Sequence, residues 1–191
     1  QNFTSATDSH NTAVGYNAGS LISTGKNNTF IGSAAGDAAN TSDNNTAVGH
    51  RALTENTTGA ANTAVGKDAG YYTTTGSDNT YIGTAAGPNV ATSTGSNNTA
   101  LGRNALRANT TASNNTAVGY KAGFANTTAA HNTFLGTNSG IATTTGGDNT
   151  IVGSGAFGTN TTGTSNTAVG YSSLYYNSSG ANNVALGKNA L

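Results

Sequence analysis

A five-residue motif recurs eleven times along the chain and constrains the fold more than any other feature. It reads Asn-Thr, then Ala, Phe, Tyr or Ile, then Val, Ile or Leu, then Gly, with Val in place of Thr in the last copy. Successive motif glycines are 17 residues apart, except for 19 residues between Gly83 and Gly102, where the extra residues fall within 88–97. A period of this length predicts a repeat fold in which each repeat packs on its neighbours.

The residue types within the repeat predict β-structure. Short β-prone segments bounded by Gly at a fixed period are typical of a solenoid whose coils stack through backbone hydrogen bonds. Gly, Asn and Thr are weak helix formers, and no 3.6-residue periodicity is present. Disordered chains share this polar composition, but they do not keep an aliphatic residue at one position of eleven repeats. We therefore predict an all-β parallel β-solenoid (β-roll or β-helix) of eleven 17-residue repeats, forming a single domain over residues 1–191.

Two positions of the repeat are small or apolar and predict a buried core. The third residue after the motif glycine is Ala or Ser in every repeat, from Ala18 to Ala190. The residue before the motif glycine is always aliphatic. Burial of one such side chain contributes only about 1.5–3 kcal/mol, so we expect stability to come from the stacking of many coils. The predicted stacking core is Val14, Ile31, Val48, Val65, Ile82, Leu101, Val118, Leu135, Val152, Val169 and Leu186.

The Asn that opens every motif, from Asn11 to Asn183, has two interpretations. An inward Asn at one position of each coil can form a ladder of amides along the solenoid axis, as stacked identical residues do in cross-β assemblies. Asn is also a common turn residue. The sequence leaves both interpretations open.

A second period of three repeats is superimposed on the first. The large residues are Phe30, Tyr81 and Phe134 two positions before the motif glycine, and Leu53, Leu106 and Phe157 four positions after it. One explanation is duplication of a three-coil block, with one repeat per coil and a rod of about 50 Å. The other is a three-sided solenoid with three repeats per coil and a length of about 18 Å.

Composition excludes several functional classes. Seven basic and seven acidic residues give a net charge of +0, so no basic surface is available for nucleic acid. No apolar run reaches the roughly 18 residues of a membrane span, so we expect no membrane insertion. The histidines His10, His50 and His131 lie in different repeats, and the carboxylates are scattered. We therefore predict no enzyme activity, no catalytic or metal site and no cofactor.

The motifs at 98–106 (Asn-Thr-Ala-Leu-Gly-Arg-Asn-Ala-Leu) and 115–123 (Asn-Thr-Ala-Val-Gly-Tyr-Lys-Ala-Gly) carry a family resemblance. They resemble the head repeats of trimeric autotransporter adhesins, and similar repeats in phage tail fibres. The resemblance implies a left-handed parallel β-roll that is extracellular, often trimeric, and adhesive or structural. The repeat is longer here, with an added Thr-rich arc, and no coiled-coil stalk or membrane anchor is present in the sequence.

The two ends of the sequence match in repeat position. Gln1 corresponds to the third residue after a motif glycine, and Leu191 is the fourth residue after Gly187. This match predicts head-to-tail stacking of one subunit on the next, which gives an open filament. Residues 1–10 form a partial repeat that we expect to pair with the C-terminal end of a neighbouring subunit. A segment of a longer fibre protein is the alternative.

The expected function is therefore structural: a self-associating subunit of an extracellular or cell-surface fibre. An adhesin head or tail-fibre shaft that binds a surface ligand is an alternative. An ice-binding protein is a further alternative, because Thr runs at 73–75 and 143–145 could form ordered arrays. Such runs could also carry O-linked sugars.

Sequons for N-glycosylation are dense, with eleven Asn-X-Ser/Thr sites. Six of them lie in the variable arc between motifs, where we expect a glycan to project outward without blocking coil stacking. A glycan sheath would keep an uncharged filament soluble. The candidate glycosylation sites are Asn40, Asn56, Asn109, Asn126, Asn160 and Asn177.

Overall fold

The computed structural model describes residues 9–90 and 92–191, which form an all-β solenoid of about ten turns. Eleven parallel strands of three residues each make one continuous sheet. The strands are β1 (Thr12–Val14), β2 (Thr29–Ile31), β3 (Thr46–Val48), β4 (Thr63–Val65), β5 (Thr80–Ile82), β6 (Thr99–Leu101), β7 (Thr116–Val118), β8 (Thr133–Leu135), β9 (Thr150–Val152), β10 (Thr167–Val169) and β11 (Val184–Leu186).

Each strand pairs with the strand of the next repeat, in the order β1 to β11. The register is uniform: equivalent residues face each other, as in Thr99 with Thr116 and Leu101 with Val118. One 17-residue repeat is therefore one complete coil, and the arrangement with three repeats per coil is wrong. Ten steps of about 4.8 Å give a solenoid about 50 Å long. The two extra residues between Gly83 and Gly102 leave the pairing of β5 with β6 unchanged.

The corners between strands, like the strands themselves, are joined to the adjacent coils by backbone hydrogen bonds. The Thr57 N–H donates to the Thr74 carbonyl at 2.9 Å, and the Asp68 N–H donates to the His50 carbonyl at 2.9 Å. Hydrogen bonds of this type recur around each coil, so the backbone polar groups of the turns find partners in the adjacent coils.

The motif glycine is required by its backbone conformation and by the next coil. Gly66 has φ of +132°, and a methyl group there would lie 2.8 Å from the carbonyl carbon and oxygen of Gly83. Only Gly tolerates both this conformation and this close approach of two backbones. The same contact recurs at the other motif glycines from Gly15 to Gly170, and Gly187 shares the conformation with φ of +120°.

The buried strand position differs from the predicted one. The middle strand residue points inward and is fully buried, as in Phe30, Ala64 and Phe134. Since successive strand residues point to opposite faces, the following aliphatic residue lies on the outside; Leu101 is 43% exposed and Leu135 is 45% exposed. The aliphatic residues stack in register, but outside the core. The prediction was therefore wrong for all eleven, which are exposed or half-buried: Val14, Ile31, Val48, Val65, Ile82, Leu101, Val118, Leu135, Val152, Val169 and Leu186.

The three-repeat period is a packing pattern inside the narrow core. The Phe134 ring lies where a side chain at Gly123 would be: a methyl group on Gly123 would approach the ring to 2.6 Å, and one on Gly140 would also clash with it. Leu106 fills the same position one coil before Gly123 and is fully buried. A large ring at the middle strand position thus requires Gly four positions after the motif glycine, both in its own coil and in the preceding coil. Leu106, one coil before Gly123, occupies the space that this Gly leaves free.

Candidate functional site

The motif asparagines form a continuous inward ladder. The backbone N–H of Asn115 donates to Oδ1 of Asn98 at 3.0 Å, and its Nδ2 donates to the same Oδ1 at 3.2 Å and to the Ala129 carbonyl at 2.9 Å. Asn28 and Asn183, near the two ends, bond to their preceding ladder Asn in the same way. The ladder interpretation is confirmed. Each side chain forms hydrogen bonds with buried backbone N–H and C=O groups of neighbouring coils. A buried backbone group without such a partner would destabilise the fold by about 1–3 kcal/mol.

A second ladder is made by threonines of the variable arc. The Thr110 hydroxyl donates to the Thr127 carbonyl, the Thr127 hydroxyl to the Thr144 carbonyl, and the Thr144 hydroxyl to the Thr161 carbonyl, each at 3.0 Å. These hydroxyls bond within the solenoid. The next residue in each arc is a Thr that lies exposed, as at Thr111 and Thr128.

Most of the predicted glycosylation sites are buried, which corrects the prediction for Asn56, Asn109, Asn126 and Asn160. The Asn109 and Asn126 amides donate to the carbonyls three residues later, at 3.1 and 3.0 Å. Asn56 also accepts from the Gly59 N–H at 2.8 Å. These asparagines close a turn from inside the coil, so their Nδ2 atoms are inaccessible to a glycosyltransferase. The sequence signal for this role is the Asn-x-x-Gly or Asn-x-x-Ala spacing.

The two other candidates lie nearer the surface. Asn177 is half-buried and donates to the Gly180 carbonyl at 3.0 Å. Asn40 is exposed because it lies one position later in its coil, after the buried Ala39. Four further sequons, which were not among the six candidates, lie exposed at the corner before the motif: Asn27, Asn44, Asn97 and Asn114. Asn2 lies outside the described residues.

Among the titratable side chains that the structure describes, Asp68 and Tyr81 are buried and the others are exposed or half-buried. His131 Nδ1 lies 3.5 Å from Asp148 Oδ1, and both side chains are exposed. Burial alone would raise the pKa of Asp68, but hydrogen bonds from Arg51 and Lys67 hold that pKa below its usual value. In the residues that the structure describes, no group of three His, Asp or Glu side chains is placed to hold a metal ion.

The outer face of the sheet carries two columns of side chains in register. The first column is the opening strand residue, which is Thr in β1 to β10. The second is the aliphatic residue two positions later. No hydrogen bond within the described chain engages the hydroxyls of the first column. The columns form a surface of hydroxyl and aliphatic groups that contains no charged residue.

The last coil leaves core positions uncovered. Leu191 is 78% exposed, whereas Leu174 and Phe157 at the same repeat position are 3% and 0% exposed. Val184 and Leu186 of β11 lie on the outer face, where the equivalent residues of the other coils are also exposed or half-buried. Beside Leu191, a shallow cleft is lined by Tyr171, Tyr175, Tyr176 and Asn189.

Comparisons with protein-family models, curated proteins and solved structures give no match to this chain. The fold is consistent with a β-roll repeat protein. Among residues 9–90 and 92–191, no helix is long and apolar enough to cross a membrane.

Proposed function

We propose that the protein is a structural subunit of an extracellular fibre, assembled by head-to-tail stacking of solenoids. The observation that carries this proposal is the uniform parallel register of β1 to β11, in which each coil presents the same edge to the next coil. A coil of a second copy stacked on β11 would continue this pairing and would cover Leu191, whose repeat position is buried at Leu174. Since the contact joins different ends of two copies, it repeats without closing and produces a filament.

The polar groups at the two ends are complementary. Within the solenoid, each ladder Oδ1 accepts the N–H of the next ladder Asn, as Asn166 accepts from Asn183 at 2.9 Å. The Asn183 Oδ1 at one end could accept the Asn11 N–H of a second copy in the same manner. The two ends thus favour a single register, in which coil spacing continues across the junction.

The motif glycine of the last coil supplies a test. A methyl group on Gly187 would meet no atom within 4 Å, whereas one on Gly170 would lie 2.5 Å from the Gly187 carbonyl oxygen. In the proposed filament, Gly15 of the next copy would occupy that space above Gly187. We therefore expect Gly187→Ala, whose φ of +120° confines the backbone strain to the last coil, to shorten or abolish filaments seen by electron microscopy and sedimentation.

Two further variants sharpen the experiment. Leu191→Asp places a charge at the proposed junction without altering a backbone conformation, and it should also block assembly. Thr111→Asp, on an exposed arc remote from both ends, is the matched control and should assemble normally. A wild-type chain that stays monomeric at high concentration would contradict the proposal. So would native material in which the solenoid continues covalently beyond Leu191.

The extracellular location and the glycans are parts of the same proposal. The exposed sequons Asn27, Asn44, Asn97 and Asn114 are the sites at which sugar would leave coil stacking undisturbed. Peptide mapping of native material should find glycans there and none on Asn109 or Asn126, whose amides are buried. Modified Asn109 in a folded chain would contradict this assignment.

An adhesin head or a tail-fibre shaft is the second candidate function. It is favoured by the β-roll architecture and by the tyrosine-lined cleft beside Leu191. Aromatic side chains with polar tips are common at binding interfaces. Discrete trimers, instead of long filaments, in the same microscopy experiment would favour this candidate.

A further inference from the structure

We propose that the outer face of the sheet binds the surface of ice through its Thr and aliphatic columns. The opening strand residue is Thr in ten successive strands, β1 to β10, and the residue two positions later is Val, Ile or Leu in all eleven. Along the axis, equivalent side chains repeat about every 4.8 Å; across a strand, the two columns are about 6.6 Å apart. This is a two-dimensional array of hydroxyl and aliphatic groups.

The Thr column keeps one residue type although its side chains are only partly covered: Thr12, Thr116 and Thr150 are exposed, and the other seven are half-buried. The residue immediately after the motif glycine is also on the surface, and there the chain uses Tyr, Ser, His, Lys, Thr and Arg. Duplication of repeats alone would leave both positions equally uniform. A repeating external ligand explains why one exposed column keeps Thr while its neighbour varies, because the ligand must present the same group at every coil step.

The array is rigid enough to match a lattice. The backbone beneath it is paired in one register from β1 to β11, and the buried Asn ladder connects the coils just before each strand. The strand hydroxyls are free to bond outward, since none of them bonds within the described chain. Hydroxyls at fixed spacing can hold ordered water, and the aliphatic groups beside them exclude disordered water.

Other occupants fit this face less well. A face three residues wide and ten coil steps long covers only about 500 Å², below the roughly 800 Å² per partner of a standard protein interface. The two columns contain no charged residue to recognise a charged ligand. The arc offers a poorer array, because the hydroxyls of Thr110, Thr127 and Thr144 are already bonded within the solenoid.

The test compares one substitution on two faces of the same coil. Thr99→Tyr places a ring in the centre of the sheet face and keeps a residue with high β-propensity. Thr111→Tyr makes the same change on the exposed arc. We expect the wild-type chain and Thr111→Tyr to show equal thermal hysteresis and inhibition of ice recrystallisation, and Thr99→Tyr to lose most of both.

Circular dichroism and thermal melting establish that each variant is folded, and Thr99→Val, which keeps the branched shape, serves as a second variant if Thr99→Tyr unfolds. Absence of thermal hysteresis and of recrystallisation inhibition in the wild-type chain would overturn the proposal. Loss of activity in Thr111→Tyr alone would also overturn it. If Thr99→Tyr changes sedimentation but not ice activity, the face binds a second copy of the chain, and the ice proposal is wrong.

Discussion

At the scale of single residues, the fold depends on side chains that form hydrogen bonds with the backbone of neighbouring coils. Asn98 illustrates this: its Oδ1 accepts from the Asn115 backbone and side chain, and its Nδ2 donates to Asn79 Oδ1 at 3.2 Å and to the Ala112 carbonyl at 2.8 Å. A buried Asn in this position therefore bonds to both the coil before and the coil after it.

We expect Asn98→Ala to destabilise the solenoid by about 1–3 kcal/mol, because it leaves the buried Asn115 N–H without its acceptor, whereas the Ala112 carbonyl keeps the Asn109 amide as a donor. Chemical denaturation of the two chains measures the difference. The control is Asn97→Asp at the adjacent exposed corner, where the change should be below about 0.5 kcal/mol. Equal losses at the two positions would show that the ladder contributes nothing specific.

At the scale of elements, the three-coil period arises because core side chains of adjacent coils pack into the same interior space. With each coil numbered by its strand, coil 8 contains Phe134 and is preceded by a coil with Gly123, whereas coil 7 contains Ala117 and is preceded by a coil with Leu106. Gly123 and Leu106 have the same left-handed backbone, with φ of +57° and +50°. A large strand residue is therefore paired with Gly in the preceding coil, as Phe134 is with Gly123, and a small strand residue is paired with Leu, as Ala117 is with Leu106.

The prediction at this scale is a coupling between two positions. Phe134→Ala should cost about 3–5 kcal/mol through the cavity it leaves. Gly123→Leu should also destabilise the fold, because its side chain meets the Phe134 ring. The double variant reproduces the pairing of Ala117 with Leu106 and should be more stable than either single variant. A double-mutant cycle measures this coupling, and additive losses would contradict the packing explanation.

At the scale of the whole molecule, stability is a sum over coils and the contacts between them. Coil 3 and coil 6 both carry a buried Leu, at Leu53 and Leu106, and each is followed by a coil with Ala in the strand and Gly four positions after the motif glycine. A block of three coils can therefore be removed without creating a new type of contact.

Deletion of residues 62–114 joins coil 3 directly to coil 7 and should leave a single cooperative unfolding transition with a modestly lower Tm. Deletion of residues 115–131 removes only coil 7, but it stacks Phe134 on Leu106 in place of Gly123. We expect this shorter deletion to lower the Tm more than the longer one. Differential scanning calorimetry measures the Tm of both deletion variants. A lower Tm for the longer deletion would show that the number of coils matters more than the packing of their core side chains.

The sequence by itself determined the all-β class and the solenoid of 17-residue repeats, because a fixed period of this length with Gly at one position is compatible with few backbone conformations. It also placed Asn11 to Asn183 at one position of every coil. It did not determine which strand residue faces the core: Ala64 and Val65 are both apolar, and the structure buries Ala64 and leaves Val65 exposed. Nor did it separate Asn109, which closes a turn inside the coil, from Asn97, which lies outside. Side-chain direction depends on the turns and on the neighbouring coil, so the tertiary structure decided the core, the accessible sequons and the outer Thr face.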